Sequence, residues 1–589
     1  YKEPAAPTLT VSAASDMSMD GLAFAAFLNA QTLRVDELRM GTTWADVLPT
    51  TDRHAVNTGL WSDSTTWGGQ APPTISQNAI VENGVTVTAD SAGTCNTLTG
   101  NGGSFTVNVA PGGSLTTQGN WWNGVSVFLG GAGATSGTIN QSGGTVTIGN
   151  GSHLSIGPDN GTSGLYTLSG GNAVVSGSLF LGNNSANSNG GQGTLDITGG
   201  TFTVQGSDVR LGRNNAGSTG TLHISNGGAF SHTGGGAMVV GFGAGAVGTL
   251  TLDGATSTLT KSANYMYIGD TDATGTVTQN AGLLNLTGGA NTGLRVGATR
   301  GTGTYNLNGG SINSRELWVG WNSGNGTLNV ANGTTITLGG FMRVGSDSGN
   351  GNVVQNGGMV EVGDYYTMGI SNSVGTYTLN DGTFIAHADF SVNEGNASTA
   401  SSFVQNNGIA NISTTAGTGA FIGRGGPGSY TVNNGTTTFY RGLRLGEGGT
   451  ASVTLNNGTI NTNGYVSQGL GGGGAAGITT YINVNGGVWN ANGEFTVNES
   501  KSVDNFLNQT GGTMNLSGSA IYIGRSGIGK GVYTITGGTL NSLKGDYFRI
   551  ASYHNANTRG EFNVAGGQVN IGGNGAGEDP NSSLVIAEG

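Results

Sequence analysis

The sequence predicts an all-β protein: a single-stranded parallel β-helix (β-solenoid), an elongated rod with about three short strands in each coil of about 26 residues. Composition, an internal repeat and the alternation within each repeat predict this fold. Of 589 residues, 116 are Gly and only 9 are Pro, while charged residues make up 9%. A chain with so little charge and so many β-branched residues is ordered, and its Gly content indicates many tight turns.

The repeat unit reads Gly-Thr-apolar-x-apolar-x-[Asn/Gly/Asp]-Gly, then a short strand, then apolar-x-apolar-Gly, then a polar loop. The Gly at the eighth position is present in 16 of 17 units, and Ala255 is the exception. Asn-Gly, Asp-Gly and Gly-Gly pairs there predict tight turns, because the backbone needs a positive φ. The units start at residues 137, 164, 193, 220, 248, 275, 303, 326, 351, 375, 401, 428, 451, 480, 505, 531 and 560.

Apolar residues alternate with polar ones in both outer strands of the unit. Tyr305 and Leu307 show this in the first strand, and Leu317 and Val319 show it in the last. A period of two places such residues on one face of a strand. Because one coil cannot bury its inner face alone, the coils must stack, and 17 coils at about 4.8 Å each give a rod of roughly 80 Å.

The pattern divides the chain into three parts. Residues 137–589 form the solenoid of 17 repeats, and residues 56–136 are predicted to be aromatic-rich capping coils at its N-terminal end. Residues 1–55 are predicted to form an extension with one or two strands, with a helix over residues 16–30 as the alternative. The capping coils contain Trp61, Trp67, Trp121 and Trp122, which indicate an aromatic cap, with a carbohydrate-stacking site as the alternative.

Glutamine occupies an inner position of the first strand in five units. Buried polar groups need hydrogen-bond partners, so we expect each amide to bond the turn backbone or a neighbouring coil. The five residues are Gln141, Gln279, Gln355, Gln405 and Gln509.

The middle residue of the last strand is predicted to point outward, which gives a column of arginine and aromatic side chains along the rod. No two of its five arginines lie in adjacent coils, as expected where stacked like charges repel, and flanking rings predict cation–π contacts. We interpret the column as an assembly surface or a polysaccharide-binding stripe, with a plain exposed strand as the alternative. Its principal members are Phe180, Arg210, Tyr267, Arg295, Trp318, Arg343, Phe421, Arg444, Tyr522 and Arg549.

Both ends of the chain predict self-association. The last unit ends on a strand with Leu584 and Ile586, and an uncapped parallel edge invites another chain. Head-to-tail docking does not close, so it would give a filament. The alternative is that the sequence is a fragment of a longer chain, which would be a truncated monomer. The N-terminal extension is the expected clasp, donated to a neighbour by strand addition. Its apolar residues are Leu22, Phe24, Phe27, Leu33, Val35, Leu38, Met40 and Trp44.

Three stretches carry a resemblance to a known group of proteins. The segment Val35-Asp-Glu-Leu-Arg-Met-Gly-Thr-Thr-Trp-Ala-Asp-Val47 resembles the final strand of a lectin-like sandwich. With Trp61…Trp67-Gly-Gly…Pro72 and the Gly-Thr-Tyr-x-Leu-x-Gly-Gly units, the chain resembles repetitive exported β-helix proteins of planctomycetes and verrucomicrobia, and more loosely autotransporter passengers. The resemblance implies an exported solenoid, although a full sandwich and a C-terminal sorting segment are missing.

Charge and composition exclude several classes of function. The net charge is -12, with only 20 Lys and Arg, so no basic footprint for nucleic acid exists. No apolar run approaches the roughly 18–20 residues of a membrane span. Cys95 is the single cysteine, so no intrachain disulfide forms. The six histidines show no metal-ligand spacing, and we expect no catalytic, cofactor or metal site.

One group of residues is the best enzymatic candidate. Polysaccharide-cleaving β-helices bring acidic and basic groups together from neighbouring coils. The corresponding residues here are Asp364, Tyr365, His387, Asp389 and Glu394, and solvated loop charges are the alternative.

The sequence therefore predicts an extracellular structural protein that is not an enzyme. It is expected to be exported with its signal sequence removed and to assemble head-to-tail with copies of itself into a filament or surface layer. The first alternative is a monomeric adhesin or polysaccharide-binding stalk, whose partner is an extracellular polysaccharide. A polysaccharide lyase or hydrolase is the third possibility.

Overall fold

The computed structural model confirms the all-β parallel solenoid. Its strands run parallel to their neighbours throughout the three sheets. The described part of the chain contains 59 strands and no helix. The structure describes residues 52–120, 124–182, 190–289, 291–395, 398–470, 478–500, 503–526, 529–542, 547–551, 559–572 and 583–586.

The first sheet contains the Gly-Thr strand of each unit. Predicted unit starts pair residue for residue, as Gly275 does with Gly303 and Gly303 with Gly326, which confirms the repeat register. Its strands span Gly59–Leu60, Thr86–Ala89, the second part of Leu98–Val109, Ala134–Gln141, Ser163–Leu168, Gln192–Ile197, Thr219–Ile224, Val247–Leu252, Thr274–Gln279, Thr302–Leu307, Asn325–Val330, Asn350–Gln355, Val374–Leu379, Ser401–Gln405, Gly428–Val432, Ala451–Leu455, Thr480–Val484, Asn505–Gln509, Lys530–Ile535 and Arg559–Val564.

The second sheet contains the short middle strand of each coil. Tight turns at the predicted glycines separate it from the first sheet, with φ of 77° at Gly310 and 90° at Gly382. Its strands span Ala92–Cys95, Ser114–Thr117, Thr145–Ile148, Asn172–Val175, Thr201–Val204, Ala229–His232, Thr258–Lys261, Leu283–Leu286, Ser311–Ser314, Thr335–Leu338, Met359–Val362, Thr383–Ala386, Ile409–Ile412, Thr436–Phe439, Thr459–Thr462, Val488–Ala491, Thr513–Leu516, Thr539–Ser542 and Gln568–Ile571.

The third sheet contains the apolar-x-apolar-Gly strand. Its first described strand, at residues 53–55, pairs with the third-sheet strand of the next coil. Its strands span Arg53–Ala55, Ala79–Glu82, the first part of Leu98–Val109, Val125–Leu129, His153–Ile156, Leu179–Leu181, Val209–Arg213, Met238–Phe242, Tyr265–Asp270, Gly293–Ala298, Leu317–Trp321, Met342–Ser346, Tyr366–Ile370, Phe390–Val392, Gly419–Ile422, Gly442–Leu445, Val466–Gln468, Phe495–Val497, Ala520–Ile523, Tyr547–Ile550 and Ser583–Ile586.

Two glycines lie against each other at the corner between a third-sheet strand and the first-sheet strand that follows it. Gly297 has φ of 69°, a left-handed conformation that side chains rarely adopt. A Cβ on Gly303 would lie 2.1 Å from the Ile268 carbonyl oxygen and 2.2 Å from the Gly297 nitrogen. This corner is therefore closed to any larger residue at Gly297 and Gly303, which favours glycine at the first position of the unit and after the third-sheet strand. Other coils have Ser401, Ala451, Thr480 or Asn505 at the first position and Asn393, Asn498 or Ala551 after the third-sheet strand.

One continuous hydrophobic core runs inside the described coils. In the coil that begins at Gly303, the inward residues Tyr305, Leu307, Ile312 and Val319 are no more than 1% exposed. The same positions in the coils above and below fill one core cluster. Burying such a side chain contributes roughly 1.5–3 kcal/mol, so each coil is stabilised mainly by contact with its two neighbours.

The five buried glutamines confirm the predicted amide bonds to the backbone. Gln355 Nε2 donates to the carbonyl oxygens of Gly358 (3.2 Å) in its own turn and Thr383 (3.0 Å) in the next coil. Tyr377 Oη donates to Gln355 Oε1 at 2.5 Å, a partner that the sequence pattern did not indicate. Tyrosine occupies this first-sheet position only in the five coils that follow a glutamine, and the other pairs are Gln141–Tyr166, Gln279–Tyr305, Gln405–Tyr430 and Gln509–Tyr533.

Asparagine ladders run along the outside of the rod at the turn after the first sheet. Asn380 Nδ2 donates to Asn356 Oδ1 at 2.7 Å, and Asn406 Nδ2 donates to Asn380 Oδ1 at the same distance. Such amides both donate and accept, so each bonds the copy above and the copy below. The ladder continues through Asn433, Asn456 and Asn485.

A lysine and a histidine lie buried at the inner end of the second sheet. Lys261 Nζ donates to the Gly236 carbonyl oxygen at 2.6 Å and lies 3.1 Å from His232 Nδ1. Burial lowers the pKa of Lys261 to about 8, although the Asp208 carboxylate favours its charged form. Burial, together with the Lys261 charge, lowers the pKa of His232 to about 4. Both groups are therefore harder to protonate in the folded chain than in the unfolded chain.

Several predicted residues lie outside the described residues. They include every member of the N-terminal clasp, Leu22 to Trp44, and also Trp121 and Trp122. Trp61 and Trp67 belong to the core cluster, and Trp67 Nε1 donates to the Trp61 carbonyl oxygen at 2.9 Å.

The glutamine–tyrosine unit predicts a double-mutant coupling. Gln355→Leu leaves the Tyr377 hydroxyl unpaired, and Tyr377→Phe leaves the amide oxygen unpaired; each should cost about 1–3 kcal/mol of local opening free energy. The double variant should cost less than the sum, because it contains neither orphaned partner of that bond. Hydrogen exchange of residues 350–386 measures this. The control is Val330→Leu, an apolar substitution at the equivalent position one coil earlier, where there is no glutamine. If the costs of the two single variants simply add in the double variant, the coupling is contradicted.

The buried lysine predicts an alkaline gain in stability. The pKa of Lys261 is lower in the folded chain, so its charging cost is present below pH 8 and disappears as the pH rises towards 10.5. Relative to Lys261→Met, the free energy of unfolding should rise by roughly 2–3 kcal/mol between pH 7 and 10.5. Chemical denaturation of both proteins across this range measures the difference. If the free energy of unfolding varies with pH in the same way in both proteins, the lowered pKa of Lys261 is contradicted.

Candidate functional site: the outer face of the third sheet

The third sheet carries the predicted arginine–aromatic column on its outer face. Leu317 and Val319 belong to the core cluster, whereas Trp318 between them does not. The outer residues pair residue for residue, as Arg295 does with Trp318 and Trp318 with Arg343. This register continues without a gap from Phe180 to Arg549. All ten predicted residues therefore lie in one column.

The column is less exposed than an open strand surface. Phe180, Trp318 and Phe421 are only 7%, 5% and 6% exposed. Side chains overhang it from two sides: one side chain lies two residues before the column residue, and the other follows the left-handed glycine at the corner. Tyr265 and Trp321 illustrate the two sides, and both contact the Arg295 guanidinium. The face is thus a shallow groove whose floor is the column, which the strand pattern alone did not indicate.

Arg295 occupies an aromatic cage. Its guanidinium carbon lies 3.9 Å from the ring centre of Trp321 and 4.0 Å from that of Tyr265. The rings of Trp318 and Tyr267 follow at 4.5 Å and 5.4 Å. Each such contact contributes about 0.5–2 kcal/mol where water is excluded. The rings therefore replace part of the hydration that this cation loses.

The other column arginines combine rings with carboxylates. Arg210 lies 4.1 Å from the Phe242 ring centre and donates to Asp208 at 3.0 Å. Arg444 donates to Glu447 at 3.2 Å and lies 5.3 Å from the Phe421 ring centre. The Arg444–Phe421 contact confirms one predicted cation–π pair within the column, whereas the ring beside Arg210 lies outside the column. The carboxylates come from the two flanking positions, which the sequence pattern did not single out.

A pocket of about 350 Å³ opens in the groove two coils beyond the Arg295 cage. Two consecutive third-sheet strands contribute to it, together with residues on both sides of the third strand and the corner after the fourth. Arg343 donates to the Tyr365 hydroxyl at 3.3 Å, and Arg424 donates to Glu394 Oε1 at 3.3 Å. The lining residues are Arg343, Tyr365, Thr367, Ile370, Asp389, Glu394 and Arg424.

Several polar atoms at this pocket have no hydrogen-bond partner among the residues that the structure describes. They are Arg343 Nε, Thr367 Oγ1 and Glu394 Oε2, all shielded from solvent. Thr367 is only 4% exposed. Unpaired buried polar atoms cost roughly 1–3 kcal/mol each, so native sites that retain them usually offer them to something else.

The pocket contains part of the predicted enzymatic group. Tyr365, Asp389 and Glu394 line it, whereas Asp364 is exposed and does not. His387 lies elsewhere, with Nε2 2.9 Å from Glu361 and Nδ1 2.6 Å from Thr414. The group therefore separates into a pocket trio and an unrelated histidine cluster, and the expectation that the chain is not an enzyme stays a prediction.

Sequence reasoning missed the second charged position of the groove. The residue after the left-handed corner residue is charged in several coils, and Arg424 bridges two of them by contacting Glu394 and Glu447. The signal is an apolar-x-apolar motif followed by Gly or Asn and then by a charged residue. The members of this position are Arg213, Asp270, Glu394, Arg424, Glu447, Glu499 and Arg525.

The predicted open edge is described only as backbone. The strand that contains Leu584 and Ile586 pairs in parallel with the strand at 547–550. Within the described ranges, no group of three or more His, Cys, Asp or Glu could bind a metal ion. The described residues also include no helix that is long and apolar enough to cross a membrane.

By its fold, the chain is a β-solenoid repeat protein. No protein-family model, curated protein or solved structure matches it. Its groove is therefore interpreted from the geometry of its own residues.

The aromatic cage predicts a stability cost when its cation is removed. Arg295→Met keeps an apolar stem but removes the guanidinium, so the free energy of unfolding should fall by about 1–2 kcal/mol. Chemical denaturation followed by tryptophan fluorescence measures the change. Arg300→Met is the matched control, because Arg300 is exposed and its ion-pair partner is Asp272 rather than a set of rings. A cost of Arg295→Met no larger than that of the control would contradict the cage.

Proposed function

We propose that the protein is an extracellular structural protein, a stiff rod that assembles head-to-tail with copies of itself into a filament or surface layer. The observation that carries the proposal is the single core inside three parallel ladders. Each coil bonds its two neighbours through all three sheets, so bending the rod at any point strains three ladders together. Such an architecture suits a load-bearing or spacing element.

Surface chemistry supports the structural role. The outer asparagines of one ladder bond each other rather than presenting charges. The ladder itself is neutral, so this strip of the surface has no charge to keep neighbouring rods apart, which favours lateral packing along it. The clasp segment, Leu22 to Trp44, is our proposed contact between successive rods, on the strength of its apolar sequence.

Electron microscopy of the full chain at physiological salt tests this proposal. Filaments should appear with an axial repeat near the rod length, roughly 80–110 Å from the 4.8 Å coil spacing. A chain without residues 1–50 should keep its far-UV β signal but form only separate rods. Separate rods of the full chain at every concentration would contradict self-assembly, and filaments without residues 1–50 would contradict the clasp.

A second candidate function is a polysaccharide-binding stalk. The observation that favours it is the groove on the third sheet, where aromatic rings, guanidinium groups and carboxylates alternate along the rod. Sugar rings stack on aromatic faces, and their hydroxyls bond charged side chains. A long groove of constant spacing suits a linear polymer better than it suits a small ligand.

A further inference from the structure

We infer that the pocket between Arg343 and Arg424 is a subsite for a neutral sugar residue of an extracellular polysaccharide. This inference rests on the second candidate function, the polysaccharide-binding stalk, and names the place where the groove holds the polymer most tightly. It also assigns the class of sugar.

The size and depth of the pocket fit one part of a polymer. Its volume of about 350 Å³ lies near the lower end of the roughly 300–1,000 Å³ typical of ligand sites. Thr367 lies on the floor, while Tyr365 and Asp389 flank it on one side and Glu394 and Arg424 on the other. The groove continues along the column in both directions, so a chain could enter and leave the pocket along the rod.

Unpaired donors and acceptors lie side by side here. Arg343 Nε offers a hydrogen to a ligand, Glu394 Oε2 can accept one, and the Thr367 hydroxyl can do either. A sugar hydroxyl both donates and accepts, so neighbouring hydroxyls of one ring could bond a guanidinium and a carboxylate together. Tyr365 stacks on Phe341 with ring centres 4.9 Å apart, which gives a flat apolar surface beside these polar atoms.

The charge of the site favours a neutral sugar over an acidic one. Two guanidinium groups, Arg343 and Arg424, face two carboxylates, Asp389 and Glu394, so the lining has no net charge. The whole chain carries a net charge of -12. The lining therefore gives a uronate or phosphate no net attraction, and the acidic protein around it repels such an anion, whereas a neutral polyol meets no such repulsion.

Affinity electrophoresis of the full chain against soluble polysaccharides tests the inference. The probes are mixed-linkage β-glucan and xyloglucan as neutral polymers, and polygalacturonate as an acidic one. We expect retardation by at least one neutral polymer and weaker or no retardation by polygalacturonate. Thr367→Val should weaken binding about three- to tenfold, as expected for one lost hydrogen bond, and Arg343→Met at least about tenfold.

Thr496→Val is the matched control for the threonine variant. Thr496 lies in the same column, is fully buried and also has an unpaired Oγ1 among the described residues, but it does not line the pocket. It should leave affinity unchanged. Thr367→Val removes an unpaired hydroxyl, so its unfolding midpoint should stay equal or rise, which separates lost binding from lost folding.

The outcomes separate the inference from the function on which it rests. Binding of a neutral polymer that both pocket variants leave unchanged would overturn the subsite but keep the stalk. Tighter binding of polygalacturonate than of either neutral polymer would overturn the sugar class. If the unchanged protein binds none of the three polymers, the stalk and the subsite both fail.

Discussion

The parallel pairing of each coil with the next is the constraint on which the rest of the structure depends. Each residue lies about 4.8 Å from its counterpart in the coils above and below. A column must therefore be filled by residues that tolerate such a neighbour. Glycines at the corners tolerate it because they have no side chain, as Gly297 and Gly303 show. Asparagines tolerate it because each amide bonds the next, as Asn380 and Asn406 do.

Polar and charged groups obey the same constraint by pairing across coils rather than within them. A buried glutamine needs a partner, and the following coil supplies a tyrosine, as Tyr377 does for Gln355. Column arginines cannot stack on one another, so rings separate them; Trp318 lies between Arg295 and Arg343. The rule is incompletely satisfied at the pocket, where Thr367 Oγ1 and Glu394 Oε2 lack partners in the described part of the chain, and also at other column positions such as Thr496.

The sequence predicted the features that repeat within a unit and missed those that combine residues of neighbouring coils. The eighth-position glycines and the alternation predicted the register and the column down to single residues, such as Trp318 beside Arg343. The tyrosine partners were missed because they lie one coil away from each glutamine. The pocket was missed because its lining combines three kinds of position, a column residue such as Thr367, a strand-preceding residue such as Asp389 and a corner residue such as Arg424. These three kinds of position lie side by side only in the folded, stacked coils.

A distance between two spin labels in one outer column tests the stacking most directly. Thr221 and Ser452 occupy the same first-sheet column nine coils apart. The native cysteine, Cys95, is buried and can be replaced by Ala. Electron–electron double resonance on Thr221→Cys with Ser452→Cys should give one narrow distribution near roughly 43 Å, nine times the coil spacing. A broad distribution, or a centre displaced by more than one coil spacing, would contradict the stacked register.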